Sequence, residues 1–211
     1  MNEILQLTVT EENILKITRG KMGKFFKIVV EGIPIVGSIY NGVVGNLEKR
    51  SLLVSISEIV DRRIDEKINF NNKEEMEFFT HVIFKSIRCS KESQIKRIID
   101  ILQGKYDGTI ESFNDAEDLI NIVSELSENE ARCLFEAYDA LKDTGKKAIS
   151  GEDIKNIPED QSEYLLTRLA GKALLKIDTA FQPIFGGGET NFSSTKVGGI
   201  IFSTLLWGED N

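Results

Sequence analysis

The stretch SENEARCLFEAYDALKDTG, residues 127–145, carries signals for both ends of a helix and shows how the C-terminal part of the chain is organised. Ser127 is followed three residues later by Glu130, which is the spacing of a capping box. In this motif the two side chains accept hydrogen bonds from main-chain N–H groups that lack a partner at a helix start. Gly145 is the residue type that ends many helices in the left-handed conformation. These signals predict a helix that begins at residue 127 and ends near residue 145.

The segments after this helix predict a small domain of helices and short strands. Pro158 favours the start of a helix, because its missing N–H and fixed φ suit the first turn. The last helix of the chain has Ser194 or Thr195 as its N-cap. This order of elements favours a winged-helix-like domain over residues 126–211. Before the last helix the predicted elements are an extended piece, a short helix, a longer helix, a strand and a glycine-rich turn: 146–150, 151–157, 158–175, 175–183 and 185–191.

Residues 1–125 predict a separate helical domain. Apolar residues recur there at three- and four-residue spacing, which is typical of helices with one buried face. The fold class that we expect is mainly α, with an N-terminal helical bundle or hairpin followed by the winged-helix-like domain. The predicted helices cover 24–32, 35–69, a segment that starts near Asn72, 90–104 with Ser90 as cap and Gly104 as end, and 114–126 with Asn114 or Asp115 as cap.

The segment EGIPIVGSIYNGVVG, residues 31–45, is apolar, rich in glycine and interrupted by a proline. The residue before a proline is disfavoured in a helix, so we expect a break here. Small residues let a second backbone approach closely, in a membrane as well as in a protein core. Two interpretations of residues 24–47 stay open: a buried helical hairpin, or a segment that associates with or perturbs a membrane, which the preceding lysines would favour. The predicted contact or membrane residues are Ile33, Pro34, Gly37, Gly42 and Gly45.

The charge of the chain disfavours nucleic acid as a partner. Its 211 residues include 26 Lys and Arg against 34 Asp and Glu, a formal net charge of −8. An acidic surface opposes nonspecific binding to phosphates. A DNA-binding regulator stays an alternative, because helical spacing places four residues of the helix after Pro158 on one stripe. These residues are Gln161, Tyr164, Arg168 and Lys172, and the acidic residues Glu159, Asp160 and Glu163 crowd the start of the same helix.

No residue pattern predicts an enzyme. The chain has one histidine, His81, and two cysteines, Cys89 and Cys133, which lie among apolar neighbours in helical patterns. A lone histidine does not form the usual metal cluster. The loop FGGGET, residues 185–190, lacks the Lys-Ser/Thr pair of a P-loop. We therefore expect no catalytic residues, cofactor or metal, and we expect free buried thiols, which are typical of a reducing cytoplasmic compartment.

Apolar residues near the C-terminal end predict a docking surface for a protein partner. Trp and Phe are typical anchors of protein interfaces when they lie together on one side of a helix. The alternative is that the last helix packs on its own domain. The candidate docking residues are Phe202, Leu205, Leu206 and Trp207.

Short segments of the chain resemble small prokaryotic and phage helical proteins of the abortive-infection alpha type and related families of unknown function. The matching segments are Ile33 to Gly37, Arg50, Leu126 to Glu130, and Thr195 to Gly198. The resemblance implies a role in conflict between phages and bacteria, and it implies no catalytic residues.

The sequence thus predicts a non-enzymatic protein-interaction module in abortive infection or phage defence. Its protein partner is of unknown identity, and oligomerisation stays open. One alternative is an effector that associates with or perturbs a membrane through residues 24–47. The other is a DNA-binding transcriptional regulator that acts through the winged helix.

Overall fold

The computed structural model describes residues 21–33, 46–178 and 190–205. Helices cover 70% of these residues, and the remainder includes a small two-stranded sheet, so the prediction of a mainly helical fold is confirmed. The chain divides into two compact units, Met1–Ser124 and Glu125–Asn211.

The first unit contains five of the described α-helices and one short 3₁₀ turn. Helix α4 is its central element, because it packs against α2, α3 and α5. Six consecutive residues of α4, 97–102, are buried, which is expected of a helix that neighbours surround. The helices are α1 (Lys21–Gly32), α2 (Asn46–Asp61), α3 (Lys73–Ser86), α4 (Glu92–Tyr106) and α5 (Phe113–Ser124), and the 3₁₀ turn is Ile64–Glu66.

Two charged residues of α4, Arg97 and Asp100, are buried together with its apolar side chains. Asp100 forms an ion pair with Arg62, and Arg62 also bonds Glu58 at 3.0 Å. A buried carboxylate without a partner would cost several kcal/mol, so this pair is what allows Asp100 to lie inside the unit. No local sequence pattern predicts this ion pair, because Arg62 and Asp100 are 38 residues apart.

Helix α1 is held in this unit by aromatic contacts. Phe25 lies 5.9 Å from the ring centroids of both Phe70 and Phe79, and the latter two rings are 5.7 Å apart. Edge-to-face arrangements of this kind add to the hydrophobic contribution of the buried rings. The predicted helix over 24–32 is confirmed, with its start three residues earlier.

The predicted long helix from Ile35 to Asn69 is wrong at its C-terminal end, while its N-terminal part lies outside the described residues. Helix α2 ends at Asp61, and Arg63 adopts the left-handed conformation with φ of 56°. The turn that follows keeps Ile64 and Ile68 buried. The apolar spacing therefore continues past the point where the helix ends, and spacing alone did not indicate the break.

Three further helix boundaries differ from the prediction. Gly104 does not end α4; the helix continues to Tyr106, and the Gly104 carbonyl accepts hydrogen bonds from Thr109 and Ile110. Helix α5 is capped by Ser112, whose Oγ accepts from the Asp115 N–H at 3.0 Å. Serine accepts hydrogen bonds from the first N–H groups of a helix as well as Asn or Asp does. Ser112 therefore caps α5 in place of the predicted Asn114 or Asp115. Lys91, in place of Ser90, occupies the N-cap of α4.

The second unit begins with the helix that residues 127–145 predict. The Ser127–Glu130 capping box and the left-handed Gly145 are both present, so both ends of α6 are confirmed. Strands β1 and β2 pair antiparallel, and Ile149 bridges the far side of β2 at Phe192. The elements are α6 (Glu128–Thr144), a 3₁₀ turn (Gly151–Asp153), α7 (Glu159–Gly171), β1 (Leu175–Asp178), β2 (Asn191–Ser194) and α8 (Lys196–Thr204).

Helix α8 packs very closely against α6. Thr195 is its N-cap, as predicted, and accepts from the Gly198 N–H at 3.0 Å. The single hydroxyl proton of Tyr138 on α6 is shared between the carbonyl oxygens of Leu174 and Thr195, at 2.9 and 3.0 Å, and the hydroxyl oxygen accepts from the Thr195 N–H. Gly198 lies directly against this hydroxyl, where a Cβ atom would overlap it.

Candidate interaction surface

The exposed side of α7 brings together the four residues that the sequence predicts as a stripe. Ser162, Leu165, Leu166 and Leu169 are buried and hold the opposite side of the helix in the unit. We name the stripe of Gln161, Tyr164, Arg168 and Lys172 the α7 face. Gln161, Tyr164 and Arg168 are exposed and Lys172 is half-buried.

Tyr164 is 60% exposed, more than any other large hydrophobic side chain that the structure describes. The Arg168 guanidinium carbon lies 5.8 Å from its ring centroid, and Arg168 Nη1 is 3.4 Å from the tyrosine hydroxyl. A cation over an aromatic ring is attracted to it, so Arg168 orders the Tyr164 ring on the helix surface. The tyrosine therefore presents a partly ordered apolar ring to solvent.

Both cations of the α7 face are ion-paired with one buried carboxylate. Glu130 Oε1 lies 3.1 Å from Arg168 Nε and 3.8 Å from Lys172 Nζ, and the Glu130 side chain is 1% exposed. Lys172 Nζ also donates to the carbonyl oxygen of Glu125 at 3.3 Å. The sequence indicated Glu130 only as a capping residue, because its partners on α7 lie far away in the chain.

The environment of Glu130 keeps it ionised. Burial alone would raise its pKa, but the hydrogen bonds with Ser127 and the charges of Lys172 and Arg168 outweigh burial and lower the pKa. The Ser127 N–H donates to Glu130 Oε2 at 2.9 Å. An ionised carboxylate thus neutralises much of the positive charge that the α7 face would offer to a phosphate.

The start of α7 and the turn before it are acidic. Four exposed carboxylates lie there, and within the described ranges none of them has an ion-pair partner. The whole unit, residues 125–211, contains fifteen acidic and nine basic residues, which leaves a net charge of −6. We name these four residues the acidic rim: Glu152, Glu159, Asp160 and Glu163.

The candidate docking residues near the C-terminal end pack within their own unit, as far as the structure describes them. Leu205 is 5% exposed. Phe202 stacks on Tyr138 at 5.4 Å between ring centroids and lies 5.8 Å from Phe135. Leu206 and Trp207 lie outside the described residues.

The predicted hairpin is described only at its first residue. Ile33 is buried, and its N–H donates to the Val29 carbonyl at 3.1 Å. The other four predicted residues lie outside the described ranges: Pro34, Gly37, Gly42 and Gly45. Of the helices that the structure describes, none combines the length and the apolar character that crossing a bilayer requires.

Both cysteines are buried free thiols. Burial raises the pKa of Cys133 to about 12, with smaller contributions from Glu136 and Glu130. Burial also raises the pKa of Cys89, although Arg97 and Lys85 partly oppose it. A thiol with a raised pKa is a poor nucleophile. Among the residues that the structure describes, no group of three His, Cys, Asp or Glu is placed to hold a metal ion.

Comparisons with known proteins give no relative for this chain: no family model, no curated protein and no solved structure matches it.

Proposed function

We propose that this chain is a non-enzymatic protein-interaction module whose C-terminal unit binds a protein partner through the α7 face. The observation that carries the proposal is Tyr164, which is 60% exposed and bordered by an acidic rim that has no ion-pair partner among the described residues. Exposed tyrosines are enriched at the energetic centres of protein interfaces. Charge complementarity favours a partner segment that is rich in Lys and Arg.

We also propose that the second unit is a winged helix. Its order is helix, bridge strand, short turn, helix, strand, strand, and Ile149 pairs with Phe192 on the side of β2 that faces away from β1. In DNA-binding proteins with this arrangement the second long helix enters the major groove. Fold alone does not fix function, so the residues of α7 have to decide between DNA and protein.

Those residues favour a protein partner. Phosphate binding depends on cations that exchange their counterions for the nucleic acid. Arg168 and Lys172 instead share the buried Glu130, and Glu159, Asp160 and Glu163 lie where a recognition helix usually approaches base edges. The membrane alternative receives less support, since α1 buries Phe25, Phe26 and Val29 in its own unit.

The proposed biological setting is abortive infection or phage defence. It rests on the resemblance of short segments such as Thr195 to Gly198 to the abortive-infection alpha type. A direct test is plaque formation on bacteria that express the full chain, compared with the variants below.

The interaction itself is tested by affinity capture with the full-length chain from infected and uninfected lysates, followed by mass spectrometry. Tyr164→Ala and Glu163→Lys should each abolish capture of the specific partner and leave the circular dichroism spectrum unchanged. Asp139→Lys is the matched control, because Asp139 is exposed on α6 and the charge change equals that of Glu163→Lys.

Two results would refute the proposal. In the first, wild-type protein captures nothing from either lysate. In the second, the Tyr164 and Glu163 variants capture the same proteins as Asp139→Lys. A captured partner should bind through a basic segment, so raising the salt concentration should weaken its capture.

A further inference from the structure

The outer edge of β1 has a main-chain donor and acceptor that point away from the sheet. Ile149 and Phe192 exchange two hydrogen bonds, with N–O distances of 2.8 and 2.7 Å. The N–H and C=O of a residue in an antiparallel strand point to the same side, so those of Phe192 point away from β1. Ile177 is paired with Phe192 in the β1–β2 register. The main-chain groups of Ile177 therefore point away from β2, toward the outer edge of β1.

This edge is open in the part of the chain that the structure describes. No described residue hydrogen-bonds the main chain of Ile177, and its side chain is 38% exposed. The neighbouring Lys176 is exposed and Asp178 is half-buried. An open strand edge is a template on which another strand can add.

We propose that two copies of this chain associate by antiparallel pairing of their β1 edges, centred on Ile177. The N–H and C=O of Ile177 exchange two hydrogen bonds with Ile177 of the second copy. Lys176 then lies opposite the second copy's Asp178, and the two-fold symmetry repeats this ion pair. This association uses no residue of the α7 face and does not depend on the proposed function.

The charges of β1 select this register and favour a second copy as the occupant. The outward main-chain groups belong to Ile177 and to every second residue from it, and in a paired edge such a residue lies opposite another such residue of the second copy. Adjacent registers therefore differ by two residues. One neighbouring register places Lys176 opposite its own copy, and the other places Asp178 opposite its own copy. Only the register centred on Ile177 pairs opposite charges. A carboxylate has two oxygens, so Asp178 can accept from the second copy and keep contacts within its own chain.

The interface that follows is small, so the association is weak and depends on concentration. Sedimentation velocity of the full chain, in a series that extends to high micromolar concentration, should show a reversible monomer–dimer equilibrium. Lys176→Glu alone and Asp178→Lys alone each place like charges opposite one another at two positions. Each should raise the dissociation constant roughly tenfold.

Charge exchange separates this model from a loss of folding. In an equimolar mixture of the two single variants, every cross-strand pair between unlike chains again has opposite charges. The mixture, and the double variant Lys176→Glu with Asp178→Lys, should dimerise with wild-type affinity.

Three results would overturn the proposal. The wild type could sediment as a monomer at every concentration. The single variants could dimerise as tightly as the wild type, which would place the interface elsewhere. The mixture and the double variant could fail to regain association.

Discussion

Replacing Gly198 by alanine tests the close approach of α8 to α6. The added Cβ atom would lie 2.9 Å from Tyr138 Cζ, and still closer to the Tyr138 hydroxyl and the Leu174 carbonyl oxygen. The carbonyl belongs to the main chain and cannot rotate away. Overpacking of this kind costs about 1–3 kcal/mol. Displacement of the Tyr138 hydroxyl from Leu174 and Thr195 adds about 2 kcal/mol, at about 1 kcal/mol for each hydrogen bond.

Alanine also favours a helix over glycine by about 1 kcal/mol, which offsets part of this cost. The expected net destabilisation is therefore about 2–4 kcal/mol. Urea unfolding should show it as a lower midpoint with an unchanged m-value. Gly199→Ala is the control, because its Cβ would make only an ordinary contact of 3.8 Å with Tyr138 Cε1. If both variants unfold at the same urea concentration, the close packing of Gly198 is refuted.

Three further predictions concern charges and thiols. Glu130→Gln removes the negative charge that pairs with Arg168 and Lys172, and it should destabilise the chain at pH 7 by about 1 kcal/mol. The loss is small because glutamine preserves the capping box and Arg168 keeps part of its hydration. The lowered pKa of Glu130 means that its contribution is present above the unfolded-state pKa and is lost as pH falls through the folded-state pKa, so the difference between wild type and Glu130→Gln should vanish in acid. Fluorescence anisotropy should detect no nanomolar binding to duplex DNA; salt-sensitive nanomolar binding that Arg168→Ala with Lys172→Ala abolishes would favour the regulator alternative. Iodoacetamide should modify Cys89 and Cys133 only after unfolding, since both thiols are buried and have raised pKa values; modification of the native chain at the unfolded rate would contradict this.

Helix starts were predictable from the sequence where one side chain satisfies nearby main-chain N–H groups. Ser127 and Thr195 cap their helices as their spacing indicates. These interactions join residues three positions apart, so the signal lies within one turn of helix. The end of α2 lacks such a signal. Ile64 and Ile68 remain at apolar spacing after Asp61, because the turn at Arg63 returns them to the same core.

The sequence was sufficient to predict which residues of the α7 face share one side of the helix, because helix geometry alone determines this. The neutralisation of its cations was not predictable, because Glu130 lies 38 residues before Arg168 and belongs to another helix. From α7 alone, Arg168 and Lys172 appear as two cations on an accessible face, which is a pattern typical of phosphate binding. The fold places the carboxylate of Glu130, from another helix, beside these two cations.

The double role of Glu130 supports our proposal that the α7 face binds a basic protein partner and not DNA. The carboxylate accepts a hydrogen bond from the Ser127 N–H at the start of α6, which holds it beside Arg168. A DNA phosphate would therefore compete for the cations with an ionised carboxylate that is already in place. A basic partner faces no such competition, because the acidic rim has no ion-pair partner within the described residues and Tyr164 stays exposed beside it. The buried charge of Glu130 thus argues against DNA as the partner and does not oppose the binding of a basic protein.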